Sequence, residues 1–150
     1  MSATKKTWFK RLLWLAAAGL LIGGAIAWYL FTLKFDDTRS VKADYSVEAM
    51  PFIREFEKDN AAANKKYSEK IIAVKGIVSA IEKADTTFNV KMQNDSTGSY
   101  ISFGFQANDA EKVKNLKAGD AVTIKGSCSA GVYSSILESE FITFKRCILE

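Results

Sequence analysis

Residues 70–81 read Lys70-Ile71-Ile72-Ala73-Val74-Lys75-Gly76-Ile77-Val78-Ser79-Ala80-Ile81, and this stretch decides the fold. Before it, apolar side chains recur at helical spacing. Within it, Ile72, Val74, Gly76 and Val78 recur every second residue, the period of a strand with one buried face. Ile81 returns one residue out of phase, which predicts a long strand with a bulge near residues 79 to 80.

Downstream, Ala84, Asp85 and Thr86 make a turn into a second strand with Phe88, Val90 and Met92 on its apolar face. The polar segment from Asn94 to Ser99, with Gly98, turns into a third strand faced by Ile101, Phe103 and Phe105. Together they predict a three-strand meander. From Asn108 to Leu116 a capping Asn precedes helix-forming residues, predicting a short helix, and Gly119-Asp120 leads into a fourth strand through Val122, Ile124 and Gly126. Ser129 to Ser135 reads as a Gly and Ser loop, and Phe141, Ile142, Phe144 and Ile148 mark a fifth strand. Upstream, Met50, Ile53, Phe56, Ala63 and Tyr67 predict one amphipathic helix from about 47 or 51 to 69, with Pro51 in its first turn and Lys65, Lys66 and Lys70 near its end. The fold class is therefore mainly β with helices. Five strands with a short helix between the third and fourth fit a small Greek-key barrel, whose closure removes exposed sheet edges.

The residues also carry a resemblance. Asn60-Ala61-Ala62-Ala63 with Lys66-Tyr67, the alternation Ile72, Val74, Gly76, Val78, the run Leu116-Lys117-Ala118-Gly119-Asp120 followed by Val122, Ile124, Gly126 and Cys128, and Cys147 near the end resemble the tRNA-anti-like family of bacterial OB-fold proteins. The resemblance covers about Tyr45 to Leu149 and implies a five-stranded OB barrel in a family of lipoproteins and membrane-tethered proteins. The stretch between Cys128 and Cys147 is longer than the family pattern implies.

A different population of residues precedes the domain. Residues 12–33 carry no charge, and a helix of that length spans about 33 Å, enough for the hydrocarbon core of a bilayer. Trp8 and Trp14 near one end and Trp28 and Tyr29 near the other suit the headgroup levels. Lys5, Lys6, Lys10 and Arg11 precede the run; the remaining 17 of the 21 basic residues face 17 acidic ones after it, so the net charge of +4 belongs to the tail. The expected organisation is a basic cytoplasmic tail (1–11), a transmembrane helix (12–33), a tether (34–44) and an OB-fold domain with its leading helix (45–150). This places a single-pass protein in the inner, cytoplasmic membrane with its C-terminal domain periplasmic or extracellular. Ala25-Ile26-Ala27 also fits a signal-peptide cleavage site, although cleavage there would leave Trp28-Tyr29-Leu30-Phe31 at the new N-terminus. A lipidated N-terminal cysteine is not expected, since the first cysteine is Cys128. Gly19 and Gly23, extended by Ala27, form a small-residue face through which two anchor helices could pair as a homodimer.

Chemistry is sparse. The absence of histidine and the presence of two cysteines exclude a His-based triad, a His metal site and a four-cysteine zinc site. Neither a G-x-S-x-G elbow nor a P-loop occurs, Asp36-Asp37 lies in the tether, and Asp95-Ser96-Thr97 lacks calcium-loop spacing. No enzyme activity, metal or cofactor is expected.

Binding is the stronger class. If the apolar set of the second and third strands faces inward, alternation sends Asn89, Lys91, Gln93, Tyr100 and Ser102 outward, onto the face where OB-folds commonly hold ligands. This face is polar with one aromatic, and the same residues also read as the ordinary solvent side of a half-buried sheet. The expected function is a membrane-anchored binding module for an envelope protein or glycan. The alternative is a single-stranded nucleic-acid binder, disfavoured because the domain's charges cancel. Cys128 and Cys147 are either paired, as an oxidising compartment favours, or two buried thiols.

Overall fold

The structure, a computed structural model, describes residues 3–32, 38–85 and 87–150, with backbone alone for 3–13 and 84. The side chains of Trp8 and the basic tail, Leu33, the first tether residues with Asp36-Asp37, and Thr86 of the first turn lie outside the described residues. Two compact units separate at residues 36 and 37. The first is the helix α1 (Ala3–Thr32), of which Trp14–Thr32 is long and apolar enough to cross a membrane, with a mean hydropathy of 1.8. Trp14, Trp28 and Tyr29 are exposed along it, and the sites of Gly19 and Gly23 are open.

In the second unit the sheet has seven strands, not five: β1 (Tyr45–Glu48), β2 (Ile71–Ile77), β3 (Ala80–Ala84), β4 (Thr87–Gln93), β5 (Tyr100–Phe105), β6 (Ala121–Ser134) and β7 (Ser139–Leu149). Their order across the sheet is β1-β2-β6-β7-β5-β4-β3. Two differences account for the count. The short β1, four residues long, pairs parallel with β2 at the end of what reads as tether. The strand expected to bulge near 79 to 80 instead changes partners there, with β2 on β6 and β3 on β4. The backbone shows how: Val78 donates its N–H to Asp120, and Ser79 donates to Lys91 on the other side. Because β2 and β3 are halves of one stretch, β3 at one edge of the sheet is joined at Val78-Ser79 to β2 beside the other edge, and the sheet curls into an OB-like barrel. Strands β3, β4 and β5 form the expected antiparallel meander, and β5 pairs parallel with β7.

The leading helix is also divided, into α2 (Ala49–Lys58) and α3 (Asn60–Tyr67). Asp59 breaks it by adopting an extended conformation from which its carboxylate accepts the Ala62 N–H and caps α3. The apolar spacing runs on across the break, so periodicity alone does not reveal it. Pro51 does lie in the first turn of α2, where its missing N–H is one the helix would leave unpaired. The short helix before β6 is a 3-10 turn (Ala107–Asp109) followed by α4 (Ala110–Val113); Asn108 lies inside the turn rather than capping it. The expected loop at 129–135 is strand almost throughout, because β6 continues to Ser134. Two compensating bulges let it do so, one on each strand: β7 carries an extra residue at Arg146–Cys147, and β6 carries one at Ser129.

α2 covers the open end of the curled sheet. Phe52 meets Phe56 and Tyr67 at centroid distances of 5.2 and 4.9 Å and Phe144 of β7 at 5.9 Å, all buried. Each such ring removed from water contributes about 1.5–3 kcal/mol, and the cluster ties α2 to α3 and, through Phe52 and Phe144, to the barrel. Gly131 must lack a side chain because the Phe56 ring occupies the place its Cβ would take.

Candidate functional site

Along β4 and β5 buried and half-buried positions alternate, with Phe88, Val90, Met92, Ile101, Phe103 and Phe105 inside. Asn89, Lys91, Gln93, Tyr100 and Ser102 therefore share the exterior, each half-buried. Register sorts them into cross-strand rows, with Lys91 opposite Ser102 and Gln93 opposite Tyr100. Neighbouring strands extend the rows: Glu82 of β3 stands opposite Asn89, and Phe141 of β7 opposite Tyr100.

The face is more aromatic than expected. Phe141, read from the sequence as a marker of the last strand, points outward and packs against Tyr100 at a centroid distance of 4.9 Å and an interplanar angle of 40°. Val132 of β6 pairs with Phe141 and is exposed on the same side, so an apolar shelf crosses three strands. Strict alternation back from the buried Ile142 and Phe144 was the signal that could have found Phe141. Lys91 lies over this shelf. Its Nζ is 4.6 Å from the Tyr100 centroid and 2.7 Å from a Glu82 carboxylate oxygen, so the ammonium is held between a π face and a carboxylate. Asn89, Gln93 and Ser102 supply neutral donors and acceptors around it. The arrangement can stack a flat or apolar ligand surface and hydrogen-bond its periphery. Among the described residues no group of three or more His, Cys, Asp or Glu side chains is placed to hold a metal.

Cys128 and Cys147 are away from this face, in the core. Both are free thiols, and register puts Cys128 opposite Phe144 while Cys147 Sγ sits against Gly126. Burial pushes the Cys128 thiol up to about 12 and the Cys147 thiol upward as well, which keeps both protonated.

A family model described as tRNA_anti-like matches residues 4–138. Among solved structures, a candidate nucleic acid-binding lipoprotein from Klebsiella pneumoniae is 21% identical, with 78% of this chain and 98% of that chain covered and a TM-score of 0.55. Asparaginyl-tRNA synthetase from Pyrococcus horikoshii is 17% identical over 56% of this chain and 20% of its own, with a TM-score of 0.41. OBody AM3L09, solved bound to hen egg-white lysozyme, is 18% identical over 56% and 84%, with a TM-score of 0.43. The Klebsiella likeness shows a shared fold. No curated protein matches the chain in sequence.

Proposed function

The chain belongs to the tRNA_anti-like family, and on that premise we propose that it is an OB-fold binding module held at a membrane by α1, with the exterior of β4, β5 and β7 as its ligand face. The observation that carries the ligand face is the Tyr100–Phe141 shelf with Lys91 above it. Large apolar rings left half-exposed beside neutral amides and a hydroxyl suit a glycan, whose rings offer apolar faces edged with hydroxyls, or an aromatic side chain of a protein. An envelope protein or glycan fits better than nucleic acid because 17 basic and 17 acidic residues follow the apolar run and the shelf offers one lysine. Nucleic acid is the second reading. It is favoured by the adjoining Tyr100 and Phe141 rings, aromatic surfaces of the kind bases also stack on, and the similar Klebsiella protein bears a nucleic acid-binding description.

Membrane attachment is supported by the length and apolarity of Trp14–Thr32 and the tryptophans near the ends of the run. The basic tail then stays in the cytoplasm and the OB domain lies outside it; Gly19 and Gly23 allow, but do not require, pairing of two anchors. A reporter that is active only outside the cytoplasm, fused after Glu150, should be active, and the full-length chain should resist a carbonate wash. A shortened form released from the membrane would instead identify α1 as a cleaved signal sequence.

The ligand face is tested by photo-crosslinkers at Gln93 and Ser102 in intact cells. The expected adducts carry protein or glycan mass and disappear when Tyr100 and Phe141 are both changed to alanine. Adducts that digest with nuclease would favour the second reading, and adducts indifferent to the double variant would sink the face.

A further inference from the structure

The β6–β7 hairpin ends in Ile136, 90% exposed, and Leu137, 64% exposed, with Tyr133 also exposed behind them, on the face of the hairpin opposite the exposed Val132. Outside α1, the only other large apolar side chain exposed to this degree among the described residues is Ile77. Such concentration on one hairpin marks a contact surface rather than scattered surface leucines. At its base, beside Tyr133, is a cleft of about 240 Å³ walled by Glu57, Glu138 and Glu140, with no basic side chain in its lining. Glu140 is buried, and its carboxylate accepts one neutral hydrogen bond, from Asn60 Nδ2 at 2.7 Å. Burial, opposed by that bond, and the charge of nearby Glu57 push its carboxyl upward. A cation entering the cleft would favour the ionised form.

Charge selects the occupant. Anionic lipid headgroups would meet three carboxylates, and a second copy docked hairpin to hairpin would bring two acidic rims together. A polypeptide with a basic side chain between apolar ones satisfies both halves of the surface. We propose that the hairpin tip and the acidic cleft at its base are a docking surface for a polypeptide segment carrying Lys or Arg between large apolar side chains. The cleft lies on the face of β6 and β7 opposite Val132 and Phe141, so the proposal does not depend on the ligand face.

The test is an NMR titration of the isotope-labelled full chain in nonionic detergent with a synthetic pentapeptide alternating leucine and arginine. Saturable amide shifts confined to residues 131–140 and the neighbourhood of Glu57 are expected. Ile136→Ser with Leu137→Ser, and separately Glu140→Gln, should each weaken the peptide at least tenfold while the remaining spectrum is unchanged. The serine pair alters exposed positions and so leaves the fold intact even if the buried Glu140 variant disturbs it. No saturable shift, equal shifts with glutamate in place of arginine, or shifts outside the hairpin would overturn the proposal. So would hairpin shifts that follow phosphatidylglycerol nanodiscs without peptide, or protein concentration alone.

Discussion

Asn64 and Gly131 hold each other at both backbone groups: Asn64 Oδ1 accepts the Gly131 N–H at 2.8 Å, and Asn64 Nδ2 donates to the Gly131 carbonyl at 2.8 Å. The pairing does what a neighbouring strand would do. β2 pairs with β6 only as far as Ser127, and the turn at Glu69 and Lys70 continues as far as Cys128. Beyond that the edge of β6 would be bare, and α3 covers it with Asn64 and Asn60, the latter also donating to the Gly131 carbonyl at 3.0 Å. Asn64→Ala should cost about 2 kcal/mol, since it leaves the part-buried Gly131 N–H without a partner while Asn60 still serves the carbonyl. Asn64→Asp, which keeps the acceptor but loses the donor, should fall between. Urea denaturation decides it, and an alanine variant as stable as the parent would mean that water replaces the clamp.

The shelf geometry makes a prediction about oligonucleotides. Stacking is worth about 1–3 kcal/mol per base, and Tyr100 with Phe141 offers two rings, but Lys91 is already engaged by Glu82. Phosphate contacts are correspondingly few. A labelled poly-dT or poly-U strand should bind the full chain no better than weakly at about 0.15 M salt. Submicromolar anisotropy binding, lost on changing both Lys91 and Tyr100 to alanine, would move the function to the second reading.

What could be read in the sequence follows where alternation was clean. In β4 and β5 every inward residue is large and apolar and every outward one polar, glycine or Tyr100, so strands, facing and candidate face were all legible. In β7 Phe141 precedes Ile142 directly, so the two together look like one apolar run, and only alternation counted back from Ile142 and Phe144 turns Phe141 outward, onto the face where it was missed. Ser129 to Ser135 reads as a Gly and Ser loop, yet Gly131 lacks a side chain because Phe56 lies on it, a contact between residues far apart in sequence. The same holds for Asn60 and Asn64, whose partners lie on β6 and β7.

The cysteines answer to a simple titration. Register separates Cys128 from Cys147 by three positions along β7, and both thiols are buried with raised pKa values. Native protein should therefore be inert to iodoacetamide at pH 8, and protein unfolded without reductant should take up two equivalents. Uptake of none, rising to two after reduction, would establish a disulfide. Gly126→Ala, whose new Cβ would come within 2.7 Å of Cys147 Sγ, should destabilise the fold in either state by about 1–3 kcal/mol.

Glu140 gives the stability a pH dependence of definite sign. Burial raises its folded carboxyl above the unfolded value, partly offset by the Asn60 hydrogen bond, and the charge of Glu57 raises it further. The folded state thus holds this proton more tightly than the unfolded chain does. Below the unfolded pKa both states are protonated and the residue imposes no ionisation penalty; as pH rises through the folded pKa, stability is lost. Glu55 works in the opposite direction, its carboxyl held low chiefly by the Lys66 hydrogen bond, but it is common to parent and variant and cancels in their difference. Glu140→Gln keeps an oxygen to accept from Asn60 Nδ2 and removes the charge. It should therefore be more stable than the parent at pH 8, with the gap closing as pH falls towards 4. Urea midpoints of the two proteins at both pH values measure this, and a gap that is constant, or wider in acid, would show that the Glu140 carboxylate is not strained by its surroundings.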